Sequence, residues 1–417
     1  MSAARNGLRR WLQPIVGVAL LGVVLWFLPW RDVLVLKHGD KEAGERVEKV
    51  QIEGEVVGDW RGQRVEFVVD AGAFPSETPS WCPRDLARVA LERDENGVWQ
   101  FEGSALPGVR PDVTPGMPRV FSSVDPAKLG WALACFFVAM LFATTRWWRL
   151  LNRAGCRATW LAAFRLSYLG LFFNLVMPGL TGGDVVKAVL AVRENPARRS
   201  DALVSVVVDR LLGLFALAFL ASVVVLFAEQ YAPLRFYVPI VMVLMLAGSL
   251  VYTSRRVRKL LRFDRLLEKL PMAERFKSLD AAVVSYKRQP TELLWAFLLS
   301  LGNHFWAIVG VMALGIAFGV PLERVGFFDY LAIVPVANMV SSIPITPSGW
   351  GLGEAVYGYL FNMIGASASL GVAVSVGFRL CQLILGLAGG LYLLAPGARS
   401  TARAAEASAA EPDSGAA

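Results

Sequence analysis

Six apolar runs, residues 11–30, 129–145, 203–228, 236–253, 292–318 and 368–395, are each long enough to cross a hydrocarbon core of ~30 Å. Two further apolar stretches, 160–180 and 327–365, are interrupted by segments rich in glycine and proline. Only 18% of the residues are charged, against roughly 25% in soluble domains, so little of the chain is suited to a water-facing surface. The chain reads as an α-helical polytopic membrane protein.

Charge then orients it. Residues 146–157 hold Arg146, Arg149, Arg153 and Arg157 and no acid, and 255–288 hold eleven Lys/Arg against four Asp/Glu. The loops 229–235 and 319–326 carry one basic and one acidic residue each. The positive-inside rule places the basic segments and both termini in the cytoplasm. The net charge of +8 therefore reports topology, and nucleic acid is not an expected partner. Leucines among the charges of 255–290 suit a helix lying on an anionic leaflet or packed on the protein's own loops.

The first run follows Arg5, Arg9 and Arg10 but ends in Phe27-Leu28-Pro29-Trp30 with no small-residue cleavage site, so residues 1–30 are expected to be an uncleaved membrane anchor. Residues 31–125 differ in kind, with twelve basic and eighteen acidic residues. Alternation over Val47–Val57 and Arg64–Asp70 predicts strands joined by the Asp59-Trp60-Arg61-Gly62 turn. Asp94-Glu95-Asn96-Gly97 before Val98–Phe101 predicts a hairpin. Seven prolines from Pro75 to Pro118 make the remainder loop-rich in this reading, a small, mostly β extracytoplasmic insertion. Residues 126–395 form the transmembrane core, and 396–417 a disordered cytoplasmic tail.

Within the core the two interruptions resemble each other. One reads Pro178-Gly-Leu-Thr-Gly-Gly-Asp184, the other Pro347-Ser-Gly-Trp-Gly-Leu-Gly-Glu354. Pro178, Gly182 and Arg210 recur as Pro347, Gly351 and Arg379 at one offset of 169, and the acids need a slip of one residue. To satisfy the charge-derived topology, 160–190 must enter and leave on the cytoplasmic side and 327–365 on the other. The core is then an inverted repeat with two re-entrant helical hairpins, the arrangement in which transporters place their binding sites.

Ionisable groups at membrane depth cost roughly 2.5–3.5 kcal/mol each on insertion scales and are candidates for function. They are Asp184, Lys187, Asp209, Arg210, His304, Glu354 and Arg379. Asp184 and Lys187 share a helix face, and amides after Gly182 and Gly183 at a helix start suit an anion. Asp184 can also cap its own helix. Arg210 and Arg379 pair with the hairpin acids in this reading, either to bind an anionic group or to lock the helices. Asp209 points about 100° away from Arg210 around the helix and need not be its partner. Glu354 and His304 are candidates for proton coupling, though for His304 the first reading is a hydrogen-bonded packing histidine. No Cys/His spacing suits a metal and no nucleotide fingerprint is present, so no cofactor is expected.

Phe173 to Gly179 followed by Gly182-Gly183-Asp184-Val185-Val186-Lys187-Ala188, then Asp209-Arg210-Leu211-Leu212-Gly213, then Ile343 to Gly349 with Gly351 and Glu354-Ala355, resemble three ordered motifs of one family. It is the lysylphosphatidylglycerol synthase transmembrane (flippase-like) family. The resemblance covers roughly 126–395 and implies a multi-span protein that moves lipids between leaflets. It implies membrane lipids with an anionic head group as partners. Asp184, Lys187, Arg210, Glu354, Arg379, Gly182, Gly183 and Gly351 would bind the substrate. Lys187 stands where arginine is usual, and Gly353 where a basic residue often precedes the glutamate. The 396–417 tail is too short for the cytoplasmic catalytic domain of some members, so lysyl-lipid synthesis is not expected of it. Two other readings stand beside lipid translocation: an envelope scaffold recruiting a protein partner through 31–125, and a lipid-modifying enzyme with Asp184 or Glu354 as base.

Overall fold

The computed structural model describes residues 30–39, 48–60, 62–75, 78–83, 86–93, 99–103, 108–176, 182–254, 273–342 and 351–392. The expected anchor as far as Pro29, the prolines of both interruptions, Trp350, the leucines of 255–272 and the tail lie outside these residues.

The first described part is a six-stranded antiparallel sheet. Its strands are β1 (Asp32–His38), β2 (Glu48–Val57), β3 (Arg64–Val69), β4 (Arg88–Arg93), β5 (Trp99–Phe101) and β6 (Val109–Thr114), in the order β5-β4-β3-β2-β1-β6. The strict alternation of β2 buries Val50, Ile52 and Val56 against Leu34, Leu36, Phe67 and Leu91. β5 and β6 approach each other, so the sheet rolls toward a barrel. The expected strands at 47–57 and 64–70 are β2 and β3, and the Gly62 N–H closes their turn on Asp59 O at 2.8 Å. β4 and β5 pair antiparallel as the expected hairpin demands, with its turn outside the described residues.

The loop-rich remainder holds one strand that the sequence reading did not place: β6 pairs along β1 from His38 to Val33. Pro111 is tolerated there since β6 ends the strand order, where a missing donor breaks no second ladder. Asp32, buried at the start of β1, fixes this junction. It accepts hydrogen bonds from Val56 N and Gly116 N at 2.8 Å each and from Arg119 Nε at 2.7 Å.

Eleven α-helices are described after the sheet. They are α1 (Met117–Ser122), α2 (Pro126–Arg153), α3 (Trp160–Val176), α4 (Gly182–Glu194), α5 (Arg199–Phe227), α6 (Tyr237–Thr253), α7 (Ala273–Tyr286), α8 (Pro290–Ala317), α9 (Phe327–Ser341), α10 (Leu352–Met363) and α11 (Ala368–Tyr392). Among the described residues five helices, α2, α5, α6, α8 and α11, are long and apolar enough to cross a membrane. The protein is a polytopic membrane protein. α2 starts cleanly because Pro126 needs no N–H partner and the Asp125 side chain accepts from Ala127 N.

The helices pack in a specific pattern. α2 lies along α8, α3 packs on α4 and on α11, and α9 packs on α10 and on α5. Exposed apolar side chains cover much of α6, which is the least buried of the five long helices. The rolled sheet meets the loop after α8 through Arg324 and Asp112, 3.9 Å apart.

Candidate functional site

α4 begins where the chain re-enters helix after the first interruption, and its start is tied to α3. Asn174 Oδ1 accepts from Gly183 N at 2.8 Å, so the cap comes from across the helix pair. A Cβ on Gly183 would collide with the Gly170 carbonyl oxygen and with Asn174, so only glycine lets α3 and α4 approach this closely. That approach sets Asp184 and Lys187 on one wall of a cavity of about 410 Å³.

The cavity lies between seven helices. α2 contributes Arg146, α3 Ser167 and Asn174, and α5 Asp209 and Arg210. Asn303 and His304 of α8, Asn338 and Ser342 of the α9 end, and Gln382 of α11 complete the polar lining. Phe136, Leu214, Leu217, Phe378 and Leu385 supply apolar wall.

Asp209 is the electrostatic centre. Its Oδ1 accepts from Arg146 Nε at 2.7 Å and its Oδ2 from Lys187 Nζ at 3.4 Å. Arg146 also donates to Ser300 Oγ at 2.8 Å, and Lys187 Nζ sits 3.9 Å from the ring centre of Trp147. Arg210 leaves this triad and meets Asp184 at 3.3 Å, as the sequence reading paired them. Three cations thus face two carboxylates in one cavity, and both carboxylates are already engaged.

The second acid–arginine pair is built differently. Arg379 Nε donates to Glu354 Oε1, which also accepts from Ser375 Oγ at 3.2 Å. Glu354 Oε2 accepts from Gly351 N at 2.6 Å, so this acid caps its own helix, α10. Gly351 holds φ at +82°, a conformation that suits glycine. The side chains of Glu354 and Arg379 are 0% and 9% exposed, against 28% and 44% for Asp184 and Arg210. Among the described lining residues Glu354, Arg379, Gly351 and Gly183 do not appear, and Gly182 opens α4. His304 lines the cavity, with Nε2 2.9 Å from Gly213 O.

Sequence reasoning missed Arg146. It grouped this residue with the arginines beyond a span ending at 145, whereas α2 continues to Arg153 and buries Arg146. The available signal was Asp209, an acid inside an apolar helix with no assigned partner. Ser167, Asn303, Asn338 and Gln382 carried no signal, being uncharged.

No solved structure matches the chain. The UPF0104 membrane protein PH1989 of Pyrococcus horikoshii is 24% identical over 292 residues, 63% of this chain and 85% of that protein. Residues 116–390 match the family described as the lysylphosphatidylglycerol synthase TM region. This match takes in every residue that lines the cavity, from Phe136 to Leu385, as well as Glu354 and Arg379. By this match the chain belongs to the lysylphosphatidylglycerol synthase TM region family.

Proposed function

We propose that the protein is a flippase-like lipid translocase. It moves an anionic phospholipid or a polyprenyl-phosphate-linked lipid between the leaflets of the cell (inner) membrane by alternating access. The observation that carries this reading is the position of Arg210. It lines the cavity yet is 44% exposed, in a stripe of α5 with exposed Val207 and Leu211, and its partner Asp184 is followed in α4 by exposed Val185. A cation on an apolar outward stripe costs roughly 2.5–3.5 kcal/mol on insertion scales, and a lipid offsets that cost in a way a soluble solute does not. The phosphate meets Arg210, Lys187 and Arg146 while its acyl chains stay among Val185, Val207 and Leu211.

Alternating access follows from reading α2–α5 and α8–α11 as two inverted copies, with α3–α4 and α9–α10 as re-entrant hairpins. Three observations support it. α3 packs on α11 as α9 packs on α5, a pattern unchanged when the copies are exchanged. Each hairpin's second helix opens with a glycine and an acid, and each acid meets the arginine of the following long helix. One pair is open and the other enclosed, as two ends of a transport path are in any single state. Asp184 and Glu354 hold the arginines when no head group is bound, and protonation of Glu354 releases Arg379. The sheet domain and the loops 229–235 and 319–326 face outward in this reading, and the basic segments face the cytoplasm. The family's description itself names a lipid.

The test is lipid scrambling in proteoliposomes holding the purified protein. Wild-type protein moves labelled anionic lipid, Arg210→Ala slows it, and the Arg210→Ala, Arg379→Ala double variant abolishes it. Full transport by the double variant would sink the proposed site.

A further inference from the structure

Part of the cavity wall is left over once a phosphate has been assigned its cations. The side-chain amides of Asn303, Asn338 and Gln382 line the cavity and make no side-chain hydrogen bond to other described residues. Ser167 lines it too, 8% exposed, with its hydroxyl unpaired among the described residues. Ser342 lines the cavity as well, and its Oγ donates to its own helix at Met339 O, which leaves the oxygen able to accept.

These groups differ in kind from the cations. A phosphate oxygen only accepts, and an ammonium only donates. An amide offers a carbonyl acceptor and two donors, and a serine hydroxyl does both. The ligand group that matches such a wall both donates and accepts at several points, which describes a cluster of hydroxyls. An amine fares badly here for a second reason. Three cations, Arg146, Lys187 and Arg210, outnumber the two carboxylates, Asp209 and Asp184, each already in an ion pair, so the cavity carries an excess of positive charge. The volume of about 410 Å³ lies in the range of pockets that enclose a whole small ligand, roughly 300–1,000 Å³.

We infer that the head group is a phosphodiester carrying an uncharged polyhydroxyl group (glycerol, inositol or a sugar) and no amine. This rests on the translocase reading and narrows its substrate class. The phosphate sits on Arg210, Lys187 and Arg146, and the hydroxyls sit on Asn303, Asn338, Gln382 and Ser167. It departs from the aminoacylated lipid in the family's description.

The experiment uses the full chain with five acyl-labelled probes: phosphatidylglycerol, phosphatidylinositol, phosphatidic acid, phosphatidylethanolamine and phosphatidylcholine. Movement is read in proteoliposomes and retention by native mass spectrometry. Phosphatidylglycerol and phosphatidylinositol are expected to exceed phosphatidic acid by roughly tenfold, the weight of one or two hydrogen bonds, and the two amine lipids by more. Asn303→Leu with Gln382→Leu brings phosphatidylglycerol down to the level of phosphatidic acid. Ser167→Ala moves it in the same direction by less and covers the case in which the double variant does not fold. Equal handling of phosphatidylglycerol and phosphatidylethanolamine overturns the inference, as does a hydroxyl preference untouched by the variants. If no lipid moves, the translocase reading fails, while unselective retention fails the head-group assignment separately. Binding of glycerol phosphate without retention of any lipid would assign the wall to a soluble polyol phosphate and overturn the lipid assignment.

Discussion

Asp209 and Arg146 meet at 2.7 Å across α5 and α2, far inside the helices that carry them. Lys187 from α4 completes the contact on the second carboxylate oxygen at 3.4 Å. Three helices are therefore tied at one carboxylate, and its charge offsets two buried cations. Asp209→Asn keeps the shape and removes the charge. Breaking a buried pair from one side costs about 3–5 kcal/mol, because the partner stays buried and unpaired. We expect a clear fall in the thermal midpoint of the detergent-solubilised variant. A wild-type midpoint would mean that the triad does not hold these helices.

The two acid–arginine pairs should respond in opposite ways to loss of the arginine. Arg379→Ala strands Glu354 at 0% exposure and should cost about 3–5 kcal/mol of stability. Arg210→Ala breaks a pair that is 44% and 28% exposed, and it also takes a cation out of an apolar stripe, where its insertion cost of roughly 2.5–3.5 kcal/mol offsets the lost pair. Its stability should hardly change while lipid movement falls. Thermal unfolding and proteoliposome transport on the two single variants separate these roles, and equal destabilisation would show both pairs to be structural.

The order of helices was legible because apolar length is a coarse signal. Five of the six runs fall on α2, α5, α6, α8 and α11, within a few residues at every end except that of α2, which runs eight residues past 145, and the sixth lies before the described residues but for Trp30. The acid–arginine pairs were legible because a charge in an apolar run must find a partner. Arg146 was hidden by its neighbours: Arg149 and Arg153 do lie at the helix end, where both meet Glu292. What separates them is helical phase and depth, which a charge count ignores. The amides were invisible for a related reason, since one uncharged polar residue costs little in a helix and leaves no pattern. β6 was hidden by Pro111, whose cost vanishes only when the strand is known to be an edge.

Gly183 gives a test of helix packing apart from charge. A Cβ there collides with the Gly170 carbonyl oxygen, which belongs to backbone and cannot swing away. Gly183→Ala should force α3 and α4 apart, at about 1–3 kcal/mol or more, and lower the folded yield on size exclusion. Gly130, in the first turns of α2, has no atom within 4 Å of the corresponding Cβ. Gly130→Ala should be neutral or stabilise by up to ~1 kcal/mol, since alanine is the better helix former. Similar losses at both positions would mean that the close approach of α3 and α4 is not what Gly183 provides.

Cys156, just past the end of α2, is buried under α5, and its thiol is pushed up to about 11. Burial is the main cause; the charge of Asp201 adds to it and Arg198 opposes it. The thiolate is the reactive form, so at pH 8 only about one thiol in a thousand is reactive, against a sizeable fraction in an unfolded chain with its pKa near 8.5. The sign for stability follows. The folded state holds this proton more tightly, so the contribution is full below about pH 8.5 and is lost as pH rises toward 11. Maleimide labelling at pH 8, read by peptide mass spectrometry, should leave Cys156 unmodified in the native protein and modify it in denaturant. Added base should first lower the thermal midpoint and then raise the labelling rate. Rapid native labelling at pH 8 would show that the contact between the end of α2 and the start of α5 opens readily.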